Sequence, residues 1–311
     1  MIAIAGLLAM TSVLVSCAKA PRDQETGGFS FTDALGRSVR LEKSPERVAA
    51  LLGSFADIWL LAGGEICASA SDAWDDFGLP LDSAVNIGGA HSPSLERLLS
   101  ADPDFVLASA STASNVEMKE TLESMGIAVA YFDVDHFDDY LQMLDICTDI
   151  TGRKDLYEQN GTRLYEEIES IRTAYVERNV SETENRILLL RASAGRVRVK
   201  NSEGTILGEM LCDMGCVNIA DRESGLLENL NIESIIQNEP YHIFVVTMGD
   251  DTEAAKDALT NIMEENPAWG TLEAVREGRL HFMDRSLFNL KPNLRWAEAY
   301  ETLYETLIEQ P

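Results

Sequence analysis

Positive charge is scarce in this chain. Among 311 residues, 25 Lys and Arg stand against 52 Asp and Glu, a formal net charge of -27. That balance argues against a nucleic-acid partner, because phosphate backbones need a basic surface. It argues equally against adsorption to anionic lipid, so any membrane attachment would have to be covalent. Histidine is scarcer still, and four scattered residues without an H-x-H pair make a poor cage for a bare metal ion. The five cysteines are too dispersed for a disulfide framework or an iron–sulfur cluster. Cys212 and Cys216 lie four apart near the end of a predicted helix, where a structural role is expected and their pairing stays open. No apolar run reaches the about 20 residues that a membrane span requires. There is no G-x-S-x-G, no Walker A loop and no H-E-x-x-H, so the chain is not expected to be an enzyme.

What the chain does have is one pattern written twice. Residues 95–108 read L-E-R-L-L-S-A-D-P-D-F-V-L-A, and residues 232–245 read I-E-S-I-I-Q-N-E-P-Y-H-I-F-V. Leu95, Leu98 and Leu99 match Ile232, Ile235 and Ile236. Glu96 matches Glu233, Asp102-Pro103 matches Glu239-Pro240, and a strand follows in each copy. Two copies 137 residues apart predict two lobes built on one plan, with a cleft between them and a Glu at the start of the same helix in each.

The rest of the pattern agrees with an α/β chain. Phe29–Leu41 alternates and turns at Asp33–Gly36, which predicts a hairpin. Strands at Arg47–Leu52, Ile66–Ser71, Phe105–Ala108 and Ala128–Phe132 alternate with helices through Ala62, from Leu95, and at Val116–Met125. That rhythm marks a mostly parallel sheet. From Lys154 to Arg178 there is no Pro, and Tyr157, Gly161, Leu164, Ile168, Ile171 and Tyr175 fall at helical spacing. An uninterrupted helix there would run about 37 Å and connect the lobes as a spine. A second lobe follows, with strands Arg186–Leu190, His242–Thr247 and Leu280–Met283, helices Leu207–Met214 and Glu253–Glu264, and a last helix from Leu294 to Ile308. The expected division is 29–152 for the first lobe, 153–180 for the spine and 181–311 for the second lobe.

The first 16 residues are uncharged and almost wholly apolar, and Leu14-Val15-Ser16-Cys17 resembles a bacterial lipobox. Residues 1–16 are expected to be a signal peptide, with lipid on Cys17 and a flexible tether over 17–28. The n-region departs from the usual form, since no Lys or Arg precedes Cys17.

The order of motifs resembles the substrate-binding proteins of ABC importers for iron-siderophore, haem and cobalamin. S-P-E-R-V-A-A-L from Ser44, G-G-A-H-S-P-S-L-E-R-L-L-S-A-D-P-D-F-V-L-A, N-P-A-W-G-T-L-E-A-V-R-E-G-R-L at 266–280 and K-P-N-L-R-W-A-E-A-Y at 291–300 carry the likeness over nearly the whole mature chain. The resemblance implies two α/β lobes with mostly parallel sheets, joined by one long α-helix, with the ligand between them. It implies a lipid-anchored monomer outside the cytoplasmic membrane or in the periplasm. It also implies that Glu96 and Glu233 dock on a permease dimer working with its ATPase. The bare alternative for each Glu is favourable placement at a helix N-terminus.

Candidate ligand contacts lie where strands end and loops face the opposite lobe. Trp74 and His91 meet that condition on the first lobe, beside Ser54, Asp72 and Ser109–Ser111. Arg191, Lys200, Met248, Phe288, Lys291 and Arg295 meet it on the second, with Arg198 alongside. The basic groups suit the negative charge of a ferric siderophore, whose iron is already coordinated. Trp74 and Phe288 could pack on its rings. No resident cofactor is expected. Haem is the nearest rival, through His91 and Met248 as axial ligands. Cobalamin ranks lower because aromatics make up 7% of the chain. A surface sensor or adhesion lipoprotein would use the same anchor without transport.

Overall fold

A computed structural model describes residues 28–249 and 251–309. The expected signal peptide, the Cys17 lipidation site and nearly all of the tether lie outside the described residues.

The chain opens with the expected hairpin. Strands β1 (Phe29–Thr32) and β2 (Ser38–Leu41) pair antiparallel. The Asp33 carboxylate closes the turn by accepting from the backbone N–H of Leu35 and Arg37 at 3.1 and 3.0 Å.

The N-terminal lobe is a parallel sheet of β3 (Val48–Ala50), β4 (Ile66–Ser69), β5 (Val85–Asn86), β6 (Phe105–Ser109) and β7 (Ala128–Phe132), ordered β5-β4-β3-β6-β7. The C-terminal lobe contains β8 (Arg186–Ser193), β9 (Arg196–Lys200), β10 (Val217–Asn218), β11 (His242–Thr247) and β12 (Leu280–Met283). Its parallel strands run β10-β8-β11-β12, and β9 folds back antiparallel on β8. The order β4-β3-β6-β7 of one lobe is thus repeated as β10-β8-β11-β12 in the other. In each, the strand after the Glu-bearing helix joins the central strand.

Alternation along these strands builds two kinds of core. Ala49, Leu51, Val106 and Ala108 point into an outer core of the first lobe, and Leu188, Leu190, Ile243 and Val245 into an outer core of the second. The opposite faces, with Val48, Phe105 and Leu107 on one sheet and Ile187, Leu189 and Phe244 on the other, join a single cluster running through both lobes. Helices fill the space between the sheets. They include Gly53–Leu61, Phe137–Thr151, Ile206–Asp213 and Trp296–Ile308, and rings of Phe137 and Trp296 meet edge to face at 5.7 Å.

Several elements differ from expectation. Lys154–Glu177 is helical throughout but contains a π-turn at Glu158–Thr162, not an unbroken α-helix. The wider turn suits tertiary bonding: Asn160 is buried, its side-chain amide donates to the Leu61 carbonyl at 2.9 Å, and its backbone carbonyl receives the Tyr140 hydroxyl at 2.8 Å. The Phe137–Thr151 helix is absent from the expected elements, although Phe137, Tyr140, Met143, Leu144, Cys147 and Ile150 give it a regular apolar face. Strand β9 is also additional. The helix expected at Val116–Met125 is two short helices, Ala113–Glu117 and Lys119–Ser124. Buried Asn115 ties the first to β6 by accepting from the Ser109 N–H at 3.0 Å.

Candidate functional site

Helices in this fold run back against the strands they connect, so the carboxyl ends of strands and the N-termini of helices share one edge. Contacts between lobes occur at that edge. Arg285, just past β12, pairs with Asp76 of the N-terminal lobe at 2.6 Å. Asn293 donates to the Ser54 carbonyl and the Asp57 carboxylate at 2.9 and 2.8 Å. Lys291 stands 3.6 Å from Asp135, and His136 stands 3.2 Å from Glu209. The carboxyl ends of the two sheets therefore face each other, which is where ligands sit in open α/β sheets.

The walls of that space carry opposite charge. On the second lobe, β8 continues past the sheet and turns at Ala194-Gly195 into β9. Directly opposed pairs across this hairpin are Leu189 with Lys200, Arg191 with Arg198, and Ser193 with Arg196. Opposed residues share a face, so Arg191, Arg196, Arg198 and Lys200 stand together while Val197 and Val199 enter the core on the other side. Arg191 is half-buried and its Nε is buried without a hydrogen-bond partner. Burial pulls its guanidinium below the ordinary arginine range, against the opposing charge of Asp135. Burial also lowers Lys200, helped by the charges of Arg191 and Arg198.

On the first lobe, β7 leads directly into Asp133 and Asp135. Burial raises the Asp133 carboxyl, and the neighbouring Asp135 charge raises it further, while a hydrogen bond from Ser111 opposes both. Ser109 and Ser111 touch through their hydroxyls at 3.1 Å at the end of β6. Burial raises Asp72 as well, although its carboxylate accepts from the Gly53 N–H at 2.9 Å. Trp74 follows it in a short helix, Asp72–Asp75, and is half-buried against the shared core.

The other expected residues separate. Met248 lies at the end of β11 with 47% of its surface exposed, and His91 is exposed in the loop before the Leu95–Ser100 helix. Lys291 is half-buried and faces Asp135, as described. Phe288 corrects the expectation: it is 1% exposed inside the shared core, so it offers no ring face to a ligand. Arg295 is engaged locally. Its guanidinium grips both oxygens of Glu298 at 2.7 and 2.8 Å and the Ser286 hydroxyl at 3.1 Å, tying down the start of the last helix. Asp133 and Asp135 were not among the expected contacts, although a D-V-D run directly after a predicted strand meets the strand-end criterion. Among the described residues no group of three or more His, Cys, Asp or Glu is placed to hold a metal. No helix there is long and apolar enough to cross a membrane.

Glu96 and Glu233 occupy equivalent places. Each is the second residue of its helix and exposed, behind a capping Ser94 in one lobe and Asn231 in the other. Both helices end in an acid with left-handed backbone before Pro, Asp102 at φ 48° and Glu239 at φ 43°.

Two pockets lie away from the facing edges, one of about 330 Å³ beside Trp59, Gly63 and Glu65, the other of about 150 Å³ at the start of β8 and β11. Both are at the amino ends of strands. The charged walls and interlobe contacts lie at the carboxyl ends instead.

A family model described as periplasmic binding protein matches residues 48–287. The chain belongs to the periplasmic binding protein family. This member is 22% identical over 202 residues to the iron-uptake system-binding protein of Bacillus subtilis, a match spanning 64% of this chain and 61% of that protein's length. A second Bacillus subtilis protein, named provisionally as an ABC transporter substrate-binding lipoprotein, is 23% identical over 316 residues, covering 94% of this chain and 92% of its own. The fold is that of Staphylococcus aureus SirA, solved with staphyloferrin B, at a TM-score of 0.70 and 19% identity over 90% of this chain and 98% of that one. Haem-binding and vitamin B12-binding proteins are among other structures of the same fold.

Proposed function

We propose that this periplasmic binding protein is the extracytoplasmic component of an ABC importer and captures an anionic iron(III)-siderophore-type complex between its lobes. One observation carries the reading. A chain of net charge -27 gathers Arg191, Arg196, Arg198 and Lys200 on one face, with Arg191 and Arg198 directly opposed. Like charges across a ladder destabilise it, so the arrangement costs the fold something that an anionic ligand would return. Asp135 faces Arg191 and Lys291 until cargo displaces it. A siderophore supplies its own iron ligands, so this cargo asks no metal cage of the protein. The names of the iron-uptake relative and of the staphyloferrin complex point the same way. Haem is the second reading, because His91 and Met248 are exposed on opposite lobes.

Delivery would use Glu96 and Glu233, a pair of exposed carboxylates on duplicated helices suited to a twofold permease. Lipid on Cys17 would hold the carrier at the membrane. The test is fluorescence titration with ferric catecholates, ferric hydroxamates, ferric carboxylates, haem and cobalamin. A ferric chelate of negative charge should bind; exclusive binding of haem or cobalamin overturns the assignment. In vesicles carrying the partner permease and ATPase, Glu96→Ala with Glu233→Ala should leave chelate affinity unchanged and lower uptake about tenfold or more, if each contact contributes roughly 1 kcal/mol. Loss of affinity with unchanged uptake per bound cargo would place the docking face elsewhere.

A further inference from the structure

The two lobes repeat one plan down to single hydrogen bonds, so a difference between them stands out. In the N-terminal lobe the Asp104 N–H donates to the Arg47 carbonyl at 2.9 Å; in the C-terminal lobe the Tyr241 N–H donates to the Arg186 carbonyl at 2.8 Å. Arg47 and Arg186 thus hold the same place, at the amino end of each central strand. The Arg47 guanidinium is engaged within its lobe: its Nε donates to the carbonyls of Ala101 and Asp102 at 3.1 and 2.8 Å. Asp104 completes the closure by accepting from the N–H of Glu46 and Arg47, both at 2.9 Å.

Arg186 has no such closure. Tyr241 replaces the carboxylate of Asp104, and the Arg186 Nε is buried without a hydrogen-bond partner. The cavity of about 150 Å³ opens here, lined by Arg186, Arg276 and Arg279. Arg279 is 5% exposed and fixed: its Nε donates to the Tyr241 carbonyl at 2.9 Å, and its guanidinium carbon lies 3.8 Å above the Tyr241 ring. Two carboxylates share the lining, Glu239 and Glu273. Glu273 is already paired with Arg279 at 2.7 Å, leaving Arg186 and Arg276 against Glu239. The space amounts to about five water volumes, enough for a tetrahedral anion. Arginine forks match such oxygens bidentately.

We propose that the C-terminal lobe holds a second binding site, for a small oxyanion of phosphate size, in the cavity between Arg186, Arg276 and Arg279 at the far end from the cargo cleft. It is independent of the cargo assignment. The experiment is calorimetric titration of the full chain with inorganic phosphate, against chloride at matched ionic strength. The unaltered protein and Arg191→Ala should bind one phosphate alike, because Arg191 lies at the opposite end of β8. Arg186→Gln and Arg276→Gln should each weaken binding about tenfold, the loss of roughly one charge-assisted contact. Arg276 is exposed, so its variant tests the site even where Arg186→Gln fails to fold. The proposal is overturned by absence of phosphate binding, by unchanged affinity in Arg276→Gln, or by loss of binding in Arg191→Ala, which would put the ion in the cleft.

Discussion

The two lobes share strand order, Glu-bearing helix and acid-Pro turn, yet they treat charge in opposite ways. At its strand ends the N-terminal lobe presents Asp72, Asp133 and Asp135, with the hydroxyls of Ser109 and Ser111 between them. The C-terminal lobe presents Arg191, Arg198, Lys200 and Lys291. At the strand beginnings the first lobe closes Arg47 with carbonyls, and the second leaves Arg186 facing a cavity. A duplicated scaffold fixes backbone and core, and the differences accumulate at the two ends of the sheets, where side chains carry little of the packing. The lesson is that function in this molecule is to be sought in what the second copy changed.

The sharpest way to break the comparison is to remove the cation that only the second lobe has. Arg191→Ala should weaken binding of an anionic ferric chelate by roughly 1.5–3 kcal/mol, read by fluorescence titration. Equal loss on neutral and anionic chelates would show that Arg191 shapes the wall without meeting charge.

A smaller effect concerns the seam between the lobes. Asn293 is fully buried with φ 49°, and its amide is the bond donor to Ser54 and Asp57. Burial raises the Asp57 carboxyl, and the Asn293 bond is what opposes that rise. Asn293→Gly keeps the left-handed backbone open while deleting both bonds. It should cost about 1–3 kcal/mol in urea unfolding, with one transition retained because the core is shared. Two separated transitions would show that the lobes fold independently.

Much of this was legible in the sequence. Strands β11 and β12 and the paired Glu helices follow from period and punctuation, which act locally. The Phe137–Thr151 helix carried a clear 3.6-residue period and was readable in principle. Strand β9 was too, since R-V-R-V-K after Ala-Gly is a plain hairpin pattern. Phe288 and Arg295 were not. Nothing local tells whether a loop aromatic turns inward, or whether an arginine finds a carboxylate three residues on. The π-turn is likewise tertiary, because Asn160 answers to Leu61 and Tyr140 from distant segments.

A third test exchanges one residue for its counterpart. His242 occupies the place held by Phe105 in the first lobe, and its Nδ1 lies 3.0 Å from Nε2 of His281. Burial, with the charges of His281 and Arg279 and against that of Glu184, pulls His242 down to about 3. Its imidazole therefore stays neutral in the folded protein but takes a proton near pH 6.5 once unfolded. Stability from this group is complete above about pH 6.5 and declines as pH falls toward 3, by up to about 1.4 kcal/mol per pH unit. His242→Phe should flatten the unfolding midpoint against pH in that window. An unchanged slope would assign the acid sensitivity to His281, which burial also lowers, or to the carboxylates.

The apolar cluster that runs unbroken through both sheets has a consequence for signalling. A carrier that snaps shut announces its load by its outline. Here a closing motion would have to shear Phe137 against Trp296 and pull Asn293 from Ser54, so the outline is expected to change little between empty and full, which small-angle scattering with and without cargo would check. On that expectation, whatever receives the carrier would read the occupant itself, or the charge it covers, by touch at the rim.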